Sequence, residues 1–250
     1  MRPCYPEGVR RMALSHRNLL DGSIAGLLFD AGDVLFDATP GRRRLLRVLA
    51  QMGLHTQYTY FFRIWERNFL REVYCGRKTY LDAFRELLHS FGFTGAPIEE
   101  IVLATAVQRR TLEEPERLLP GVRETLARRE FGQLALGVLA NAAGPSVDVE
   151  RQLTDLGLGG RFRWIFSSVD LGIALPQKAA YLAAVEAMGL APRQVAFVGH
   201  DSNELAGAAA AGLSTIAINY DPSTAADVYL ENFHQLASII DHRQPARIAG

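Results

Sequence analysis

Apolar positions along this chain fall into two rhythms. Short continuous runs end abruptly at polar residues, whereas longer stretches repeat apolar residues three or four apart. The first run, 24–29, reads Ile-Ala-Gly-Leu-Leu-Phe and stops at Asp30. Runs of the same kind follow at 134–140, 164–166, 195–198 and 215–218. Unbroken apolar runs of this length predict strands buried on both faces, as in a parallel sheet. Helix-like stretches at 146–156, 177–188 and 204–211 alternate with them, which implies βαβ units with right-handed crossovers. The segment between the first and second runs has only the helical rhythm: Leu45, Leu46, Leu49; Phe61, Phe62, Trp65, Phe69; Tyr80, Phe84, Leu87, Leu88. It predicts an all-helical insertion over 42–115, with Pro120-Gly121 marking the return to the sheet. The aromatic set Tyr60, Phe61, Phe62, Trp65 and Phe69 has the spacing of the insertion's own core. The expected fold is therefore α/β: a three-layer parallel sheet over 24–41 and 116–250, with a helical cap inserted and residues 1–23 as an extension.

Composition narrows the function classes. With 27 basic and 27 acidic residues the net charge is zero, so nothing marks a nucleic-acid or anionic-membrane binder. The run Arg42-Arg43-Arg44 has the usual look of a solvated helix face. Cys4 and Cys75 are far apart and match no metal-ligand spacing, so a disulfide framework is not expected and a cytoplasmic location is the natural reading. No apolar run reaches the roughly 20 residues of a membrane span. Residues 1–23 lack the apolar stretch of a signal peptide and carry several arginines; Met12 is an alternative candidate start.

Parallel α/β sheets bind ligands at the carboxyl ends of their strands. The residues just after each run are accordingly the ones to inspect. Phe29-Asp30-Ala31-Gly32-Asp33-Val34-Leu35-Phe36-Asp37 resembles the first motif of the haloacid dehalogenase superfamily, and Leu119-Pro120-Gly121-Val122 resembles its usual re-entry from the cap. Residues 136–141, 167–176 and 198–212 fall where its second, third and fourth motifs are expected. The resemblance covers about 24–240 and implies a Rossmann-like core with a helical cap over the active site.

It also implies roles. Asp30 stands at the nucleophile position, where a carboxylate after a buried strand attacks phosphorus or carbon and forms a covalent intermediate. Gly32 stands where phosphatases of the family carry the acid that protonates the leaving alkoxide, and glycine has no proton to give. Asp33, one residue on, points elsewhere in a turn. At the second motif Ala140-Asn141 replaces Ser/Thr-Asn: Asn141 is a candidate catalytic residue, and Ala140 stands at the substrate-binding position without a hydroxyl. At the third, Leu175 precedes Pro176 where a lysine is usual, leaving Lys178 as the nearest candidate. The fourth, Gly199-His200-Asp201-Ser202-Asn203-Glu204, offers Asp201 and Glu204 to Mg²⁺ together with Asp30 and the Gly32 carbonyl. His200 stands where the first acid is usual, a candidate substrate-binding residue rather than a magnesium ligand.

Three readings follow from the resemblance. The first is a Mg²⁺-dependent phosphatase acting on a small phosphorylated metabolite, with activity weakened by the replaced residues. The second is a metal-independent 2-haloacid dehalogenase, for which the missing acid at Gly32 would not matter. Tyr181 after Pro176 is similar to that branch, and Arg63 or Arg67 from the cap would bind the substrate carboxylate. The third is a non-catalytic binding or regulatory member that holds a small anionic ligand near the helix N-terminus at Asn203. A monomer or homodimer is expected.

Overall fold

The computed structural model describes residues 24–110 and 116–241. The extension 1–23, with Cys4 and Met12, and residues 242–250 lie outside it. The strands are β1 (Gly26–Phe29), β2 (Phe36–Asp37), β3 (Arg117–Leu118), β4 (Ala135–Ala140), β5 (Trp164–Ser167), β6 (Val195–Gly199), β7 (Ser214–Ile218) and β8 (Val228–Leu230). The α-helices are α1 (Thr39–Gln51), α2 (Tyr58–Ile64), α3 (Arg71–Tyr74), α4 (Tyr80–Ser90), α5 (Ala96–Arg110), α6 (Val122–Leu126), α7 (Ser146–Asp155), α8 (Ser168–Leu171), α9 (Lys178–Ala187), α10 (Ser202–Ala210) and α11 (His234–Asp241). A π-helical turn, Trp65–Leu70, joins α2 to α3.

Six strands form one parallel sheet in the order β5-β4-β1-β6-β7-β8. β1 is central because every one of its residues is apolar or glycine and can be covered on both faces. Its alternate side chains feed opposite layers. Leu27 and Phe29 join Val138, Val198 and the α6, α7 and α11 side, while Leu28 joins Phe197, Tyr181 and Leu205 on the α9 and α10 side. Burying each such side chain contributes about 1.5–3 kcal/mol. The result is the three-layer α/β fold expected from the runs. Phe29 is level with Val138 of β4 and Val198 of β6. The next residue, Asp30, therefore emerges between the ends of three adjacent strands, where the strand order turns outward in both directions.

The helices α1–α5 enclose a core of their own. Trp65 anchors it, meeting Tyr80 edge-on at 5.4 Å and Phe84 at 5.9 Å between ring centroids. Of the aromatic set, Phe61, Phe62 and Trp65 are buried and Phe69 is partly buried. Tyr60 instead is 49% exposed. At the root of the insertion β2 and β3 pair antiparallel, Phe36 with Leu118 and Asp37 with Arg117. That pairing brings the entering and leaving chains together beside the turn that carries Asp30.

Candidate active site at the end of β1

Asp30 continues the sheet before leaving it. Its N–H donates to the Val198 carbonyl at 2.9 Å. Its side chain is almost wholly buried. Oδ1 accepts from the Ala31 N–H at 2.7 Å, and Oδ2 lies 3.2 Å from Nδ1 of His200. The chain then folds back tightly: the Leu35 N–H donates to the Ala31 carbonyl at 2.9 Å, and that of Asp33 to Phe36 at 2.7 Å. Asp33 takes the left-handed conformation with φ of 58°, a strained choice for a non-glycine residue that aspartate tolerates better than most. The Asn219 amide holds it there by donating to its carbonyl at 3.1 Å.

Asp33 does not face solvent. Its Oδ1 accepts from the Ala38 N–H at 3.1 Å, and its Oδ2 pairs with Arg42 of α1. The arginine run therefore splits: Arg43 is exposed, while Arg42 turns inward. Burial opposes charge on Arg42, but the charge and hydrogen bond of Asp33 outweigh it and hold the guanidinium firmly protonated. Glu66, from the π-helical turn, reaches within 3.9 Å of the same guanidinium.

His200 follows β6 and lies between the two aspartates. Its Nε2 is 3.8 Å from Asp33 Oδ2, opposite the Nδ1 that meets Asp30. Burial disfavours its cationic form. The hydrogen bond to Asp30 and the charges of Asp30, Glu204 and Asp33 outweigh that cost and push the imidazole up to about 9. Glu204, in the first turn of α10, has Oε1 accepting from the Asn141 amide at 2.9 Å, while Oε2 is buried without a partner. Burial, then the negative charges of Asp30 and Asp201, raise its pKa well above the usual range, although His200 and the Asn141 bond pull the other way. A neutral acid is the form that fits this surrounding. Asp201 caps α10, with Oδ1 accepting from the N–H groups of Asn203 at 2.8 Å and Glu204 at 3.0 Å.

The remaining candidates distribute as follows. Ala140 is buried at the end of β4. Asn141 ties three segments together: besides Glu204, its amide donates to the Leu175 carbonyl at 3.3 Å, and its Oδ1 accepts from the Leu175 N–H at 2.9 Å. Leu175 is itself buried, its apolar side chain packed where a cation was sought. Lys178 begins α9 and is exposed; it takes no part in the hydrogen bonds around Asp30. Arg63 and Arg67 are exposed on α2 and the π-helical turn. Tyr181 is fully buried and donates to the Glu204 carbonyl at 2.7 Å, which makes it a support of the α10 start. At Gly32 an added Cβ would meet only the Ala38 Cβ, at 3.6 Å, so packing does not demand glycine there.

Sequence reasoning missed Arg42 and Glu66. Only their position on elements that fold back over the turn brings them in, and no motif announces it. A cleft of about 780 Å³ between the insertion and α7 is lined by Arg42, Glu66 and Tyr74, but Asp30 is not part of its wall.

A parallel sheet with a buried carboxylate at its switch point and a helical insertion rooted beside it is the build of a capped α/β hydrolase domain. The chain belongs to the haloacid dehalogenase-like hydrolase family, whose model matches residues 24–212. It is 29% identical over 199 residues to a phosphoglycolate phosphatase of Yersinia pseudotuberculosis, covering 79% of this chain and 82% of that protein. In fold it resembles YfnB of Bacillus subtilis, a putative hydrolase of the family crystallised bound to magnesium (TM-score 0.69, 22% identity, 87% of this chain and 99% of that one). A 2-haloacid dehalogenase from Pseudomonas syringae pv. tomato is also similar (TM-score 0.60, 21% identity, 87% and 98%).

Proposed function

We propose that the chain is a phosphatase-like hydrolase of small phosphorylated metabolites, working through Asp30 and weak on ordinary esters. The observation that carries this is the placement of Asp30, a buried carboxylate at the shared end of β1, β4 and β6. The phosphoglycolate phosphatase likeness over most of both chains supports the same chemistry.

In this reading an Asp30 carboxylate oxygen attacks phosphorus, the bond from phosphorus to the ester oxygen breaks, and the leaving group departs as its own anion. Water then cleaves the phosphoaspartate, releasing inorganic phosphate and restoring Asp30. His200 balances the charge of the nucleophile. Gly32 supplies no proton to the leaving oxygen, Ala140 no hydroxyl to the phosphoryl group, and Leu175 no cation. Each lost group removes part of the electrostatic stabilisation on which phosphoryl transfer depends. Substrates with good leaving groups, such as acyl or aryl phosphates, are favoured over an alkyl ester like phosphoglycolate, whose alkoxide needs a proton.

The Mg²⁺ set expected from the resemblance does not assemble well. One Asp30 oxygen faces an imidazole, Asp201 caps a helix, and Glu204 has the surroundings of a neutral acid. Among the described residues no group of three or more His, Cys, Asp or Glu is disposed to hold a metal. These residues do not fit the ion, and no step above runs through it.

Turnover of p-nitrophenyl phosphate by the wild type, lost in Asp30→Asn, is the test. Its absence would favour a second reading, a non-catalytic member binding a small anion, which the pairing of Asp30 with His200 supports. Halide release from a 2-haloacid would move the chain to dehalogenation instead. No helix among the described residues is long and apolar enough to cross a membrane. A cytoplasmic monomer or homodimer, with Cys75 free and buried, belongs to the same proposal.

A further inference from the structure

The end of β1 gathers four acidic side chains: Asp30, Asp33 in the following turn, and Asp201 and Glu204 around the start of α10. Family members of this fold include one crystallised with magnesium, and a divalent ion is the ordinary way to hold such groups together. Here a side chain lies between them. The His200 ring has Nδ1 3.2 Å from Asp30 Oδ2 and Nε2 3.8 Å from Asp33 Oδ2. The ring spans the two carboxylates, within hydrogen-bond reach of Asp30 and close to Asp33, whose Oδ2 is already held by Arg42. Its side chain is only 27% exposed, so the ring fills the space rather than hanging over it. Mg²⁺ needs oxygen ligands at about 2.0–2.1 Å in near-octahedral array. To reach Asp30 Oδ2 it would have to displace this ring.

We infer that the His200 ring is the resident occupant of the site, set between Asp30 and Asp33 where a divalent metal would otherwise bridge the carboxylates. Arg42 completes the arrangement from the cap side by pairing with Asp33 and lying near Glu66. The inference concerns what holds the carboxylates together, and it stands or falls separately from turnover.

The test is thermal melting of the full chain with and without millimolar Mg²⁺, for wild type and His200→Asp. An ion bound at 100 times its dissociation constant would raise the midpoint of a chain of this size by about 5–10 °C. The wild type is expected to move by less than about 1 °C, and His200→Asp to gain the larger, Mg²⁺-dependent rise. Should His200→Asp fail to fold, Mn²⁺ titrated into the wild type and followed by electron paramagnetic resonance decides: the free-ion signal is expected to persist undiminished. A Mg²⁺-dependent rise in the wild type, uptake of one Mn²⁺ per chain, or a folded His200→Asp that gains no response to Mg²⁺ would each overturn the inference.

Discussion

If His200 is held as an imidazolium between Asp30 and Asp33, the protein's stability must depend on pH in a window that ordinary histidines do not reach. The imidazole is raised from 6.5 to about 9. A raised pKa means that the folded state binds the proton more tightly than the unfolded chain does. The resulting stability is fully present below 6.5 and is lost as pH climbs through 9. At 1.36 kcal/mol per unit, the shift corresponds to about 3 kcal/mol, a large share of the 5–15 kcal/mol that holds a typical domain. The group is mostly shielded from solvent, so screening does not remove most of it. Urea unfolding of wild type and His200→Gln at a series of pH values from about 6 to 9.5 measures the effect, and the difference between the two proteins is the quantity of interest. Glu204, whose pKa is also raised, tilts both curves in the same direction, which is why the wild-type slope alone is not diagnostic. The wild-type advantage is expected to shrink by about 3 kcal/mol across the window, or about 6–12 °C in melting temperature. Parallel curves, or an advantage that grows with pH, would refute the reasoning.

Other consequences follow from particular contacts. Gly32→Asp has room at Cβ and should raise turnover of an alkyl phosphate at least about tenfold relative to p-nitrophenyl phosphate, because only the poorer leaving group needs the proton; an unchanged ratio in steady-state assays would count against the assignment of that position. Arg42→Met leaves Asp33, which is nearly buried, without its main partner and should cost about 1–3 kcal/mol in chemical denaturation; an unchanged midpoint would mean the pair contributes nothing. Gly207→Ala would place a methyl 2.3 Å from the Pro176 carbonyl oxygen, so the melting temperature should fall by the equivalent of about 1–3 kcal/mol despite alanine's better helix propensity; a rise would show that the turn yields freely.

The parallel sheet was readable from sequence because its strands are buried on both faces and so appear as unbroken apolar runs. β8 escaped, since Val228-Tyr229-Leu230 alternates buried and exposed positions over only three residues. The β2–β3 pair escaped for a related reason: two residues on each side, with partners 80 and 82 positions apart, leave no periodic trace. At the site, Asp30 was legible from its place after the first run. The partners of Asp33 were not. The left-handed turn and its Asn219 tether swing the Asp33 side chain toward α1, where Arg42 waits on the inner side of an apparently solvated run. Charge position depends on tertiary geometry, and local pattern cannot encode it.

Whether Asp30 works as a nucleophile is reached directly by one assay. Purified wild type and Asp30→Asn are compared on p-nitrophenyl phosphate, with and without Mg²⁺, under conditions where both are folded. The expected result is slow turnover by the wild type that survives metal chelation and vanishes in Asp30→Asn. Wild-type rates no higher than those of Asp30→Asn would contradict the claim and leave a binding protein built on a hydrolase fold.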